Sequence, residues 1–380
     1  MKIRSSFPFF SDDSARSILA DIKDTLKEGR LASGPRVQEL ERKFCEYTKQ
    51  KYAVAVNSGG SSLEISLRYF GVTNREVIVP TNTFVATPNS VIFAGGRPVF
   101  ADIREDTLCI DPDDVKKRIS SKTAGVIVVH IAGLVCPQID ELREICMDHD
   151  LFLLEDCAHA HGASIDNRMA GTIGDAGCFS FAPTKIITTG EGGILLTNNA
   201  ELAEKARFMR NRGLNSENLM VTLGHSWTMS EVHAILGLHQ LENLDYFLER
   251  RNAIARQYES LLEKADTFSL FKTPPNIKHS YHKFPVRLEE GFSVRKIASL
   301  LREKYEVETG LVYYPPCHLH PYYRKILGTC DGDFPVAEKV LRQVFCLPIH
   351  AGITNQEVEY ISDSLIHSIG ASREHVHTKT

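Results

Sequence analysis

Several features that define whole classes of protein are missing from this sequence of 380 residues. No apolar run reaches the ~18 residues that span a bilayer, and the N-terminus lacks the long apolar core of a signal peptide. The net charge of −4 comes with no basic stripe, whereas phosphate-backbone binding needs clustered positive charge. Internal repeats and low-complexity tracts are absent as well. These absences predict a cytoplasmic globular protein with neither a membrane nor a nucleic-acid partner.

The cysteines form neither a disulfide framework nor a zinc pattern. There are nine of them, which is an odd number, none belongs to a C-x-x-C pair, and many lie in apolar stretches. This distribution is typical of reduced, partly buried thiols in a cytosolic protein.

What the sequence does contain is a regular alternation of two patterns. After two N-terminal helices, the first expected to be capped by Asp12-Asp13-Ser14, short β-branched runs alternate with helix-like stretches. The predicted strands are Tyr52–Val56, Glu76–Val79, Pro98–Ala101, Gly125–Val129, Leu151–Leu154 and Gly193–Thr197. Such alternation indicates an α/β protein with a large, doubly wound, mostly parallel sheet.

A change of pattern near the middle of the chain indicates a second unit. A long charged helix is predicted over about Tyr246–Lys264, and Pro274-Pro275 breaks the pattern after it. The rest mixes a strand, helices and a loop rich in Pro, Tyr and His. We therefore predict a large domain over residues 1–245 and a smaller α+β domain over residues 246–380.

The first chemical signal is the loop Asn57-Ser-Gly-Gly-Ser-Ser62, which follows a predicted strand and opens a predicted helix. Glycine lets the backbone approach a ligand closely, and free N–H groups at a helix N-terminus attract anions. The loop therefore fits a phosphate site. It equally fits a tight strand-to-helix turn with a serine cap, since it matches no standard phosphate motif.

A second signal lies at the end of a buried strand, in Glu155-Asp-Cys-Ala-His-Ala-His161. In open α/β sheets, ligands bind at this edge. Asp156 could pair with a cationic ring nitrogen, hold a metal or cap the next segment. Because no further ligand cluster accompanies His159 and His161, we expect no metal site, and a structural role for His161.

The third signal is a lone lysine, Lys185, between the apolar run Phe179-Ser-Phe and a glycine-rich loop. A lysine amine in a partly desolvated site loses pKa and can form a Schiff base with a carbonyl compound. The alternative is an ordinary solvated loop lysine. Ser180 could donate to a phosphate or simply pack.

The order of the three signals is more informative than any one of them. Pyridoxal 5′-phosphate (PLP) requires a phosphate anchor, a carboxylate for its ring nitrogen and an amine for its aldehyde. Phe84, which follows another strand end, could stack on the ring or lie in the core.

These motifs resemble the DegT/DnrJ/EryC1/StrS family of PLP-dependent sugar aminotransferases, in the aspartate aminotransferase superfamily of fold type I. The resemblance extends over nearly the whole chain, and Lys185 with its glycine-rich loop is its most specific part. It also includes Val77-Ile-Val-Pro-Thr-Asn-Thr-Phe-Val-Ala-Thr, Glu155-Asp-Cys-Ala-His-Ala-His-Gly, Leu223-Gly-His-Ser-Trp-Thr-Met-Ser-Glu and Tyr314-Pro-Pro-Cys-His318.

The resemblance implies a role for each matching residue. Lys185 would form the Schiff base and shuttle the proton, and Asp156 would keep the ring nitrogen protonated. His159 would lie beside the 3′-oxygen, and Phe84 would stack on the ring. The phosphate would be held by Gly59, Gly60, Ser61 and Ser180.

Other matching residues are implied to serve substrate binding or a neighbouring subunit. Ser226 would face the phosphate of the partner subunit, His225 and Trp227 would lie in the shared active site, and His318 in a substrate-facing loop. The chain departs from the family pattern at Gly60, which replaces a threonine, and in the segment 224–229, where Ser226 replaces an asparagine and Thr228 an arginine or asparagine. These differences either reshape the pocket or have no effect.

The function implied is transfer of an amino group, usually from L-glutamate, to a keto group of a nucleotide-linked deoxysugar, with the cofactor passing through pyridoxamine 5′-phosphate. The products would enter surface polysaccharides or antibiotics, and the enzyme would be a homodimer. Lysine at position 185 favours amine transfer, since the dehydrating relatives carry histidine there. Two alternatives remain: a cyclitol or aminoshikimate-type acceptor, as in 3-amino-5-hydroxybenzoate synthase, and an inactive PLP-binding regulatory paralogue.

Overall fold

The computed structural model describes residues 2–263 and 267–377, with side chains described up to residue 372. Thirteen α-helices lie in these ranges: α1 Asp12–Glu28, α2 Pro35–Thr48, α3 Gly59–Tyr69, α4 Ala86–Phe93, α5 Pro112–Arg118, α6 Ile139–Asp148, α7 Ala200–Arg210, α8 Glu231–Glu242, α9 Leu244–Leu262, α10 Val294–Tyr305, α11 Pro321–Leu327, α12 Pro335–Leu341 and α13 Asn355–His377. None of them is both long enough and apolar enough to cross a membrane.

The strands form one large sheet and two small ones. They are β1 Tyr52–Val56, β2 Glu76–Pro80, β3 Arg97–Ala101, β4 Thr123–Val129, β5 Phe152–Asp156, β6 Ser164–Ile165, β7 Arg168–Met169, β8 Ala176–Ser180, β9 Gly193–Thr197, β10 Phe268–Leu270, β11 Ile277–Lys278, β12 Phe284–Leu288 and β13 Val344–Leu347. The large sheet has seven strands in the order β1-β9-β8-β5-β4-β2-β3.

Parallel pairing dominates this sheet. Strands β3, β2, β4, β5 and β8 pair in parallel, and β9 alone runs antiparallel between β8 and β1. All seven residues of β4 are buried, because helices cover both faces of the sheet. The predicted fold class is confirmed, and the carboxyl ends of four neighbouring parallel strands, β2, β4, β5 and β8, meet along one edge.

Two apolar cores divide the molecule. The larger surrounds the seven-stranded sheet and includes Phe334 and Leu341 from the C-terminal part of the chain. The smaller joins α9, α10 and α13 to the β10-β12-β13 sheet, and it includes Ile3 near the N-terminus. An N-terminal residue thus belongs to the smaller core, and C-terminal residues belong to the larger one. The domain division at residue 245 stays a prediction.

Helix boundaries follow their caps. The side chain that caps α1 is Ser11, which accepts the Ser14 backbone N–H at 3.1 Å, so the predicted cap at Asp12-Asp13-Ser14 is wrong by one residue. Asp12 and Asp13 instead lie in the first turn, where negative charge complements the helix dipole. The predicted end of the long charged helix, Lys264, lies outside the described residues.

Candidate active site

A cavity of about 570 Å³ lies at the edge where the parallel strands end. This volume falls within the range of small-molecule sites. One side, the strand-end side, consists of Phe84, Asp156, Ser180 and Lys185. The other, the C-terminal side, consists of His282, Lys283, Gly310 and Tyr313.

The cavity brings together most of the side chains that the sequence singled out. Seven predicted site residues line it: Gly59, Gly60, Phe84, Asp156, His159, Ser180 and Lys185. Ser61 lines a smaller adjoining cleft together with Gly60 and Phe84. Local motifs on β1, β2, β5 and β8 converge because these strands end at the same edge.

Lys185 follows β8 in a tight turn. Its backbone N–H donates to the Ala182 carbonyl at 3.0 Å, and Gly190, with a φ of 82°, lets the chain return to β9. Burial lowers the pKa of the Lys185 amine to about 8, although Asp156 opposes the shift and Lys283 adds to it. Near neutral pH a useful fraction of this amine is therefore uncharged and nucleophilic.

Asp156 is the last residue of β5 and is held by two hydrogen bonds. Its Oδ2 accepts the Thr87 hydroxyl at 2.8 Å, and its Oδ1 accepts the Ala158 backbone N–H at 3.1 Å. No lysine, arginine or histidine among the described residues lies within 4.0 Å of this carboxylate. A fixed carboxylate with no cationic partner fits a positively charged N–H group of a ligand.

His159 connects the two sides of the cavity. Its Nδ1 accepts the Ala132 backbone N–H at 3.2 Å, so Nε2 carries the proton and donates it to the Tyr313 hydroxyl at 2.8 Å. Burial lowers the pKa of His159 well below its usual range, which keeps the ring neutral. The ring also packs against His282, with 4.1 Å between centroids.

The phosphate-type loop opens α3. The Ser58 hydroxyl caps the helix by accepting the Ser61 backbone N–H at 3.1 Å, and the Ser61 hydroxyl donates to Asn57 Oδ1 at 2.7 Å. The N–H groups of the first helical turn have no acceptor within the helix. A Cβ at Gly59 would lie 2.7 Å from the Ser180 Cβ, so the loop can approach β8 this closely only with glycine there.

The same cavity is lined by the N-terminus of α3, by the Asp156 carboxylate and by the Lys185 amine with its lowered pKa. Phe84 is 56% exposed at the cavity rim, so the alternative of a core phenylalanine is wrong. The residues present fit the phosphate, the ring nitrogen and the aldehyde of this cofactor.

The segment 224–229 does not line the cavity of its own chain. His225 and Trp227 pack against each other at 4.5 Å between centroids, and the Ser226 hydroxyl accepts from Arg212 at 3.0 Å. The Trp227 carbonyl accepts the Asn57 backbone N–H at 2.9 Å, which ties the segment to the phosphate-type loop. Participation of these side chains in a shared site stays a prediction.

His318 is predicted to contact substrate, but its side chain does not line the cavity. The side chain is fully buried. Its Nδ1 lies 2.6 Å from the Thr81 hydroxyl and its Nε2 lies 3.0 Å from Glu338, and its ring packs against Phe334. His318 therefore braces the loop after β2 against the C-terminal segment.

His161 occupies a core position, as the sequence suggested, although neither of its ring nitrogens has a hydrogen-bond partner among the described residues. It is fully buried and packs against Phe179 and Phe181, with 5.3 and 5.7 Å between centroids. Burial lowers the pKa of His161 to about 3, which keeps the ring uncharged.

Among the described residues there is one group of potential metal ligands, His130, Glu155 and Cys157, and all three are buried. The Glu155 carboxylate already accepts from His130 at 2.8 Å and from three backbone N–H groups. Its oxygens are thus used within the fold, and the group is structural.

Sequence reasoning missed the C-terminal side of the cavity. Lys283 and Tyr313 belong to segments far along the chain from Lys185, and no local pattern links them to it. Thr87, which donates to Asp156, could have been found from the sequence, because it lies in the same motif after β2 as Phe84.

Comparison with known proteins agrees with this geometry. The model of the DegT/DnrJ/EryC1/StrS aminotransferase family matches residues 12–366. The chain therefore belongs to this family, as the sequence motifs suggested, and is a PLP-dependent aminotransferase.

Individual relatives cover nearly the whole chain. The spore coat polysaccharide biosynthesis protein SpsC of Bacillus subtilis is 34% identical over 91% of this chain and 93% of its own length. GDP-perosamine synthase of Vibrio cholerae is 31% identical over 90% and 94%. The PLP form of Spr1654 from Streptococcus pneumoniae superposes with a TM-score of 0.91 at 28% identity, covering 98% of this chain and all of the other.

Proposed function

We propose that this enzyme transfers an amino group from L-glutamate to a keto group of a nucleotide-linked deoxysugar. The observation that carries the proposal is the convergence of Lys185 and Asp156 on one cavity that also receives the N-terminus of α3. A relative that makes GDP-perosamine supports the nucleotide-sugar acceptor. A relative in spore coat polysaccharide synthesis supports a surface polysaccharide as the destination.

The reaction balances between its two substrates. L-Glutamate leaves as 2-oxoglutarate and the ketone becomes a primary amine, so no external oxidant or reductant is needed. Bound PLP supplies an electron-withdrawing ring that stabilises negative charge at the reacting carbon.

The protein's own groups have separate tasks in this proposal. Lys185 takes a proton from the α-carbon of the donor and returns it on the acceptor, for which a pKa of about 8 is well matched. Asp156, held by Thr87, keeps a positive charge on the ring nitrogen. His159 and Tyr313 form a neutral hydrogen-bonded pair beside the ring.

A homodimer with shared active sites forms part of the proposal. Supporting it is an exposed apolar run just before the 224–229 segment, in which Met220 is 65% and Leu223 62% exposed. Apolar groups this close together on a surface are typical of an interface. A partner subunit would cover the run and receive His225, Ser226 and Trp227 in its cavity.

Mixed dimers test this arrangement. We expect Lys185→Ala and Trp227→Ala each to be impaired as homodimers, and co-expression to restore activity, because one site per mixed dimer would be intact. Light scattering gives the mass in parallel. A monomer, or no recovery in the mixture, would contradict the shared site.

The acceptor is tested with a panel of nucleotide keto-sugars and cyclic ketones, incubated with PLP, L-glutamate and enzyme. Mass spectrometry should detect a ketone converted to an amine on a nucleotide sugar. Conversion of a cyclic ketone alone would favour the aminoshikimate-type acceptor. A protein that gains no absorbance band with PLP and no response to L-glutamate would be a regulatory paralogue.

A further inference from the structure

A second lysine, Lys283, lines the same cavity. It immediately precedes β12, and its backbone N–H donates to the Ala132 carbonyl at 3.0 Å. The backbone of Lys283 is therefore attached to the loop that also contacts His159. Its side chain is half-buried.

The contacts of the Lys283 ammonium leave its charge uncompensated. It donates to the Leu311 carbonyl and lies 4.8 Å from the centre of the Tyr313 ring. A carbonyl oxygen and an aromatic face stabilise a cation only in part. Within residues 2–263 and 267–372, no carboxylate lies within 4.0 Å of it.

The two carboxylates of the cavity do not supply the missing charge. Asp156 is held by Thr87 on the strand-end side, and Glu191 lies in the exposed loop after Gly190. A partly desolvated cation without a counter-ion favours binding of an anion from solution. The cavity thus contains a cationic group, separate from the N-terminus of α3, that can receive an anion.

We propose that Lys283 binds a carboxylate of the amino donor and positions the donor over Lys185. This inference rests on the aminotransferase function proposed above and adds the residue that recognises the amino acid. Both substrates carry anionic groups. Which of them Lys283 binds therefore depends on how far each anionic group lies from the atom that reacts.

Proximity to Lys185 favours the donor carboxylate over the diphosphate of a nucleotide sugar. Lys283 lines the same cavity, and its positive charge contributes to lowering the pKa of Lys185, so the two amines are close enough to interact. In an amino acid, the α-carboxylate is bonded to the carbon that reacts. In a nucleotide sugar, ring atoms separate the diphosphate from the keto carbon.

The test compares Lys283→Met, Lys283→Gln and Lys283→Arg with the exposed-surface control Lys272→Met. The donor half-reaction is followed by loss of the absorbance band of the lysine-bound cofactor as L-glutamate is varied. Because a charge-assisted hydrogen bond is lost, we expect both neutral variants to need roughly 10- to 100-fold more L-glutamate for half-saturation. The maximal rate should fall much less, arginine should restore most of the affinity, and the control should match the wild type.

Three further measurements make the result specific. The wild type should prefer L-glutamate over L-glutamine, which lacks the side-chain carboxylate, or over the α-amide of glutamate, which lacks the α-carboxylate. That preference should collapse in Lys283→Met. The derivative for which it collapses identifies the carboxylate that Lys283 binds. Half-saturation by the nucleotide keto-sugar should stay unchanged. Calorimetry with glutarate, which cannot react, should show binding to the wild type and its loss in Lys283→Met.

Two outcomes would overturn the inference: an unchanged L-glutamate requirement in both neutral variants, or an equal rise for donor and acceptor. The second would assign Lys283 to the diphosphate or to cavity shape. Failure of the proposed function has a different signature, because the wild type would then respond to no amino acid. The glutarate measurement still tests Lys283 in that case.

Discussion

The strand-end side of the cavity carries Asp156 and Lys185 where parallel strands end, whereas the C-terminal side carries Lys283 and Tyr313 on connections outside the large sheet. Asp156 is fixed by a side-chain and a backbone hydrogen bond. Lys283 is attached through its backbone, and its charge has no carboxylate partner among the described residues. From this difference we expect the strand-end side to hold groups that must be fixed for chemistry, and the C-terminal side to hold groups that recognise substrates.

The largest expected effect separates the two lysines. Lys185→Ala should lose the absorbance band formed with PLP and lower the rate of amine transfer by about 10³-fold or more, because both nucleophile and proton carrier are removed. Lys283→Ala should keep the band. Stopped-flow absorbance after mixing with PLP and then L-glutamate measures both. A normal band in Lys185→Ala would remove the distinction between the two sides.

Asp156→Asn should have the next largest effect. The amide can still accept from Thr87, but it has no charge to balance a protonated ring nitrogen, so we expect kcat/KM for L-glutamate to fall by about 10²-fold. Thr87→Val leaves the carboxylate and its hydrogen bond from the Ala158 N–H, and it removes the hydroxyl that donates to Asp156 and is also hydrogen-bonded to Thr83. The fall in kcat/KM should be much smaller in Thr87→Val than in Asp156→Asn. Equal falls in the two variants would mean that the orientation of the carboxylate, rather than its charge, matters.

Gly59→Ala should weaken retention of PLP by about tenfold, because the added carbon would lie 2.7 Å from the Ser180 Cβ and force the loop away from β8. Gly60→Ala offers a matched comparison in the same helical turn. Its added carbon would have its nearest neighbour at 3.8 Å, so a several-fold smaller loss is expected. Dialysis followed by titration with PLP measures both, and equal retention would contradict close approach at Gly59.

Tyr313→Phe should have the smallest effect. It removes the hydroxyl that accepts from His159 but keeps the ring next to Lys283. One lost hydrogen bond predicts a fall in kcat of roughly 2- to 10-fold, without a change in half-saturation by L-glutamate. A large rise in the L-glutamate concentration needed for half-saturation would mean that the Tyr313 hydroxyl, rather than the Lys283 ammonium, recognises the donor.

Predictability from sequence follows the same division of the cavity. The strands and the residues at their ends could be predicted because β1, β2 and β5 are short buried runs, each followed by a local motif. The sheet then brings these motifs together by topology alone. Lys283 and Tyr313 could not be predicted in this way, since only the packing of C-terminal segments against the sheet places them there.

His318 shows the limit of a motif as evidence for orientation. Its segment does reach the sheet, where the Cys317 backbone N–H donates to the Thr81 carbonyl at 2.8 Å. The side chain nevertheless points into a buried network with Glu338, because a half-satisfied imidazole at the core would be costly. A loop can be placed correctly from sequence while the direction of one side chain is wrong.

The most direct test asks which of the two lysines of the cavity, Lys185 or Lys283, forms the bond with PLP. The protein is mixed with PLP, reduced with sodium borohydride to make any bond between cofactor and lysine permanent, digested and mapped by mass spectrometry. We expect the adduct on Lys185, whose amine has a pKa lowered to about 8. An adduct on Lys283 in place of Lys185 would contradict it.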